Sequence, residues 1–95
     1  MADAFGLIEC RGLVATMVAV EAMCKAASVR CARIDRVSGG VVVAVVIGDL
    51  AGVGVALEAA GAAVAAYGET PRTQIYPRLE PGAARLLLGT GEPIT

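Results

Sequence analysis

The chain has no histidine, no tryptophan, one phenylalanine, two tyrosines and a single lysine. Each absence excludes something. Without imidazole there is no side chain that titrates near neutral pH unperturbed, and the commonest zinc ligand is missing. With aromatics at 3% and eight basic residues against nine acidic ones, the chain lacks the stacking platforms and basic footprint of a nucleic-acid binder. Charged residues are 18% of the chain and apolar ones 57%, the opposite of a disordered composition. Long apolar runs are missing too. The stretch from Leu50 to Tyr67 holds Glu58 and the glycines at 52, 54 and 61, and Val41 to Ile47 falls far short of the roughly 20 residues of a membrane span. No basic segment precedes an apolar one near Asp3 and Glu9, and Glu92-Pro93-Ile94-Thr95 is no lipidation motif. These features predict no membrane association, no secretory signal and a cytoplasmic location.

Three cysteines, at 10, 24 and 31, are an odd number whose spacings fit no paired zinc or haem motif. They read as small, inert thiols, and neither a metal nor a cofactor is expected.

What is abundant is Ala, Val and Gly. At 95 residues the chain is expected to be one small domain, 1–95, with 89–95 as a flexible tail. A domain of this size buries only roughly 60–65% of its unfolded surface. So apolar a chain would leave much hydrophobic surface in water as a monomer, and that predicts an oligomer.

The pattern of elements is legible. Residues 4–10 read as a strand ended by Arg11-Gly12. Residues 13–27 read as an Ala-rich helix with Leu13, Met17, Val20 and Cys24 on one stripe, and with Glu21 and Lys25 spaced for an ion pair. Residues 29–37 read as a polar strand, Ser38-Gly39-Gly40 as a hairpin turn, and 41–47 as a central strand buried on both faces, its second cover supplied in part by a neighbouring subunit. Asp49 is a helix N-cap for 50–66, Gly68 follows that helix, 69–77 is an edge strand between prolines, and 81–88 is a short helix opened by Pro81. The order β-α-β-β-α-β is an α+β, ferredoxin-like split βαβ: a four-stranded antiparallel sheet with helices on one face and a short C-terminal helix.

Chemistry is sparse. The carboxylates are scattered, with no helical i, i+3 or i+4 pair, and Ser38 and the cysteines have no His to activate them. Gly52-Val53-Gly54 lacks the third glycine of a dinucleotide fingerprint and falls inside a predicted helix. Strand alternation puts Arg30 and Arg36 on one face and Arg33 on the other, in solvated or intersubunit ion pairs. Lys25 reads as a surface lysine at a helix end and Arg78 as exposed.

Six stretches in one register carry a family resemblance: Ala4-Phe5-Gly6-Leu7-Ile8-Glu9, Arg11-Gly12, Glu21-Ala22-Met23-Cys24-Lys25-Ala26-Ala27, Gly39-Gly40, Gly48-Asp49-Leu50 and Ile75-Tyr76-Pro77-Arg78. From about residue 4 to 80 the chain resembles the hexamer-forming, single BMC-domain shell proteins of bacterial microcompartments. The resemblance implies a non-enzymatic structural protein: a cyclic homohexamer that self-assembles edge to edge into shell facets around encapsulated enzymes, alongside other shell proteins. It implies a central pore for transport of small polar metabolites, rimmed by Ser38, Gly39 and Gly40. It places Lys25 and Arg78 at the hexamer–hexamer edge. Ile47, Leu79 and Glu80 depart from the family pattern, which often has Arg, Pro and His there. With no Cys in the rim, no iron–sulfur cluster is expected. The rival classes are a small oligomeric ligand-sensing or regulatory module of ferredoxin-like fold, which needs an anion or nucleotide pocket between subunits, and a small enzyme, which the absent His argues against.

Overall fold

The computed structural model describes residues 3–89. Its elements are β1 (Ala4–Arg11), α1 (Leu13–Ala26), β2 (Arg30–Arg36), β3 (Val41–Gly48), α2 (Leu50–Ala65), β4 (Arg72–Tyr76) and α3 (Pro81–Leu88). The strands form one antiparallel sheet in the order β2-β3-β1-β4. This is the expected split βαβ, with polar β2 and β4 at the edges. Of the expected tail 89–95, Gly89 is the left-handed cap of α3, and 90–95 lie outside the described residues.

The central pair β1–β3 is built for two-sided burial. Ala4, Ile8, Cys10, Ala44 and Val46 point to the helix layer and pack with Ala15, Ala19 and Met23 of α1 and Val53, Ala56, Leu57, Ala60 and Val64 of α2. Full burial of side chains such as Ile8, Met23, Val46, Val53 and Val64 contributes about 1.5–3 kcal/mol each. Phe5, Val45 and Ile47 point the other way and are covered by Leu79, Ala84, Leu87 and Leu88. The second face of the central strand is therefore covered in part by the chain's own α3, on the face where a neighbouring subunit was expected to supply part of the cover. Two of the family departures explain how α3 is anchored: Leu79 packs into this second cluster, and the Glu80 carboxylate caps the helix, accepting the Ala83 N–H at 3.0 Å. The third, Ile47, is itself a buried member of that cluster.

Local chemistry sets the other boundaries. Asp49 accepts the Gly52 N–H at 2.6 Å and starts α2. A Cβ on Gly52 would lie 2.8 Å from that carboxylate oxygen, so this glycine serves the cap. Gly68, at φ 73°, closes α2, with its N–H on the Ala65 carbonyl and the Glu69 N–H on that of Val64. Helix glycines 54 and 61 face open space and make no close approach to the sheet. The close approach lies on the strand: a Cβ on Gly6 would sit 2.7 Å from Val53 Cγ1, 3.1 Å from Val46 and 3.3 Å from Leu57.

Two sequence expectations fail for stated reasons. The stripe Leu13–Met17–Val20–Cys24, of which Val20 alone packs against the core, is not the buried face of α1. Ala15, Thr16, Ala19 and Met23 are, while Leu13 is 49% and Met17 48% exposed. Small residues win the core face because α1 packs along α2, where alanines permit close contact. The alternation argument for the β2 arginines fails at an irregularity between Cys31 and Arg33, where the pairing skips Ala32. Opposite β3, Arg30 meets Ile47, Arg33 meets Val45 and Asp35 meets Val43, while Arg36 meets Val42. Arg30 and Arg33 thus share the α3 face and Arg36 takes the helix face, because the bulge adds one residue to the alternation.

Gly6→Ala is expected to lower unfolding stability by about 1–3 kcal/mol through overpacking against Val53, read as a shift in the urea midpoint at unchanged m-value. Gly54→Ala, with open space at its Cβ, is expected to leave the midpoint unchanged or raise it.

Candidate functional site

The sheet register sorts the candidate residues to two ends of the molecule. Arg11 lies opposite Val41, and Arg36 opposite Val42, so the Ser38–Gly40 turn projects from the end where β1 finishes and α1 begins. At the other end Ala4 lies opposite Gly48, Arg30 opposite Ile47 and Phe5 opposite Tyr76. Arg78 follows β4 at that second end. Lys25 is there too, in the last turn of α1, about 18 Å from the start of that helix at about 1.5 Å per residue. Lys25 and Arg78 therefore sit at one end, and Ser38, Gly39 and Gly40 at the opposite one.

The turn is built from glycine because its backbone demands it. The Val41 N–H bonds the Ser38 carbonyl at 3.1 Å, with Gly39 at φ 62° and Gly40 at φ 81° between them, the two positive φ values of a type I′ hairpin. It is tied down from two directions. The Gly12 N–H donates to the Gly40 carbonyl at 2.8 Å, and the Arg11 guanidinium to the Gly39 carbonyl at 3.2 Å. Arg11 is held in turn by the Glu69 carboxylate, which accepts its backbone N–H at 2.8 Å. Gly12, Leu13, Arg36, Ser38, Gly40, Val41 and Val42 line a cleft of about 360 Å³ beside the turn. Ser38 itself is exposed.

At the opposite end Lys25 is exposed and 3.8 Å from Glu21, the expected helical pair. Between exposed groups such a pair contributes little, so Lys25 remains available to other contacts. Arg33 has an intrachain role that alternation concealed: it pairs with Asp35 and donates to the Leu87 carbonyl at 3.5 Å, closing the C-terminus of α3. A side chain at Gly89 would collide with that guanidinium.

Nothing at either end resembles a catalytic constellation. Burial raises the Cys10 thiol above its usual range, with the charge of Glu69 acting in the same direction, and burial likewise raises that of Cys31. Both are thereby poor nucleophiles. Among the described residues no cluster of His, Cys, Asp and Glu could hold a metal, and no helix is long and apolar enough to cross a membrane.

One feature escaped the sequence reading. Leu13, Val14 and Met17 line an apolar groove along α1 with Val18, Val20 and Cys24, and Val14 is 72% exposed. The signal was present: apart from Glu21 and Lys25, α1 carries apolar residues on its outer side as well as its inner one, and a helix in a two-layer domain can turn only one side to its own core.

The described residues thus place a glycine turn at one end of the domain, Lys25 and Arg78 at the other, and an exposed apolar face along α1. Comparison with known proteins gives the family. The BMC domain matches residues 4–79. The chain is 41% identical over 76 residues to the bacterial microcompartment shell protein EutM of Salmonella typhimurium, covering 80% of this chain and 79% of that one. It is 32% identical over 85 residues to the shell protein PduA of Citrobacter freundii, covering 90% and 91%. The fold also matches a microcompartment protein of Desulfitobacterium hafniense at a TM-score of 0.79 and 25% identity; all of this chain is covered, but only 51% of that one, so it spans about half the length of that relative. The chain belongs to the BMC-domain family of bacterial microcompartment shell proteins.

Gly39→Ala and Gly40→Ala are each expected to cost about 1–2 kcal/mol, because a Cβ opposes positive φ, whereas Ser38→Ala should stay within about 0.5 kcal/mol. Thermal unfolding of the three variants side by side checks the order.

Proposed function

We propose that the protein is a non-catalytic tile of a cytoplasmic bacterial microcompartment shell: a single-domain subunit forming a cyclic homohexamer whose central pore is rimmed by Ser38, Gly39 and Gly40. Hexamers then join edge to edge through Lys25 and Arg78 and assemble with other shell proteins around encapsulated enzymes. The observation that carries this reading is the bare apolar face of α1, with Leu13 49%, Val14 72% and Met17 48% exposed. That surface is what a neighbouring subunit would bury. The opposite placement of the glycine turn and of Lys25 with Arg78 supports it, because a ring of wedges needs one end at the centre and the other at the rim. A subunit 15 Å in its shortest dimension against 39 Å in its longest is also suited to a thin layer. A rim of glycines offers backbone groups, and Ser38 adds hydroxyls, so a small polar metabolite would be solvated in passage without tight capture.

Light scattering behind size exclusion is expected to give a mass near six times the 9.5 kDa subunit, with hexagonally ordered sheets or tubes by electron microscopy of the void fraction. A stable monomer or trimer with no higher assembly would reject the reading and favour a ligand-sensing module. Lys25→Asp should abolish the sheets and leave the hexamers; collapse to monomers would move Lys25 from the outer edge to the subunit interface. Ser38→Ala should alter solute passage and leave assembly intact.

A further inference from the structure

Two of the three cysteines share one trough between α1 and β2. Cys24 is exposed in the last turn of α1, and Cys31 is half-buried in β2, just beyond the connector 27–29. Cys31 lies opposite Val46 and packs against the helix-layer cluster, so its side chain points toward the helices. Cys24 shares a flank of α1 with Leu13, Met17 and Val20, and Leu13 lines a cleft with Arg36, so this flank overhangs β2. From that cleft the helix rises about 16 Å between Leu13 and Cys24, at about 1.5 Å per residue. The ladder from Val42, opposite Arg36, to Val46, opposite Cys31, spans about 14 Å at about 3.4 Å per residue. The two thiols therefore come level, one on the wall of the trough and the other on its floor. The electrostatics agree. Burial raises the Cys31 thiol most, the bond from its Sγ to the Arg33 carbonyl at 3.7 Å opposes this, and the charge of Cys24 adds to it. A charge acts in this way on a near neighbour. Cys10 is apart from both: it is buried on β1 opposite Val42, at the other end of the sheet.

We infer that Cys24 and Cys31 are a redox-sensitive pair, open as thiols and closing under a small-molecule disulfide into a clasp between the end of α1 and β2. Closure needs the two Cα atoms within about 7 Å, and both segments have room to give. Cys24 stands close to Ala27, where the chain leaves the helix in an extended conformation, and β2 is an edge strand whose ladder is interrupted at Ala32, next to Cys31. With glutathione disulfide as oxidant, the exposed Cys24 attacks first as its thiolate. Its sulfur bonds to one glutathione and the other leaves as a thiolate. Cys31 then displaces the second glutathione and forms the Cys24–Cys31 bond. One S–S bond is broken and one made; the two cysteine protons end on two glutathione thiols, which carry the electron pair. Burial disfavours the Cys31 thiolate, but its attack is intramolecular, which offsets that. The side chains offered to a neighbouring subunit, Leu13, Val14 and Met17, lie in the first two turns of α1, away from Cys24. Closure would restrain 27–29 and, with them, Lys25, the residue next to Cys24. The clasp lies within one subunit, so it stands or falls separately from the hexamer.

The test equilibrates the purified protein with glutathione disulfide and reduced glutathione at a series of ratios, then alkylates it and digests it with trypsin without reduction. Trypsin cuts after Lys25 and after Arg30, between the two cysteines, so the clasp appears in the mass spectrum as peptide 12–25 joined to peptide 31–33, with Cys10 alkylated. Cys10→Ser should leave this cross-link in place and Cys24→Ser should abolish it. Cys31→Ser should stop the reaction at a mixed disulfide of Cys24 with glutathione. Amide hydrogen exchange over 25–30 is expected to slow about tenfold on oxidation of the wild type and to stay unchanged in Cys24→Ser. Three results on the wild type would overturn the pair without relying on any variant to fold. They are peptide 12–25 joined to a second 12–25, a glutathione adduct that persists on Cys24, and both thiols alkylated at the most oxidising ratio. A cross-link with unchanged exchange would overturn the restraint on Lys25. Light scattering of the reduced sample reports the hexamer separately, so failure of the clasp is distinct from failure of the shell reading.

Discussion

The structure depends on one constraint: the β1–β3 pair must be covered on both faces over most of its length. β3 is seven apolar residues followed by Gly48, with no polar alternation, so neither side can be left wholly to water. On the first side the cover is the α1–α2 layer, brought close by the missing side chain of Gly6. On the second it is α3, a helix of eight residues that could not stand alone and is held by Leu79, the Glu80 cap and the Arg33 contact to its C-terminus. The cover on that side reaches Phe5, Val45 and Ile47 and stops before Glu9 and Val43, where the sheet turns polar. Burial thus sets where the polar part of that face begins.

Much of the fold was legible because its signals are local. Gly-Gly after Ser38, Asp49 before a run of small apolar residues, Gly68 after Tyr67 and Pro81 at a helix start each act within a few residues, and each was found where expected. What stayed hidden needed long-range information. The choice of core face on α1 was decided by close packing against α2, which rewards alanine over leucine, so the larger apolar side chains ended up outside. The bulge at Ala32 left no mark in the apolar pattern of an already polar edge strand, and a one-residue slip there exchanges the faces of the arginines that precede and follow it. The candidate site was legible only through family resemblance. Composition and spacing read Lys25 and Arg78 as ordinary surface residues, and nothing in their neighbourhood contradicts that until their shared end of the molecule is seen.

Arg33 and the departures from the family pattern tell a related story. Leu79 and Glu80 stand where the family resemblance implies Pro and His, and both contribute to docking α3. Ile47 stands where it implies Arg, and it belongs to the same second cluster. Three changes that look independent along the chain converge on one patch of the sheet. They belong with Arg33, Asp35 and Gly89, which close the far end of the same helix.

Helix α1 has a further consequence as a ruler. It starts beside the glycine turn and carries Lys25 in its last turn, and the rise of about 1.5 Å per residue sets roughly 18 Å from Leu13 to that lysine. A helix cannot be stretched and lengthens only in steps that also rotate its end by about 100° per residue. On the tiling proposed above, any repeat distance that α1 sets is therefore quantised. A single inserted residue in α1 would then not enlarge the mesh slightly; it would swing Lys25 out of line. Subunits sharing such a lattice would have to agree in the length of this helix more strictly than in its sequence.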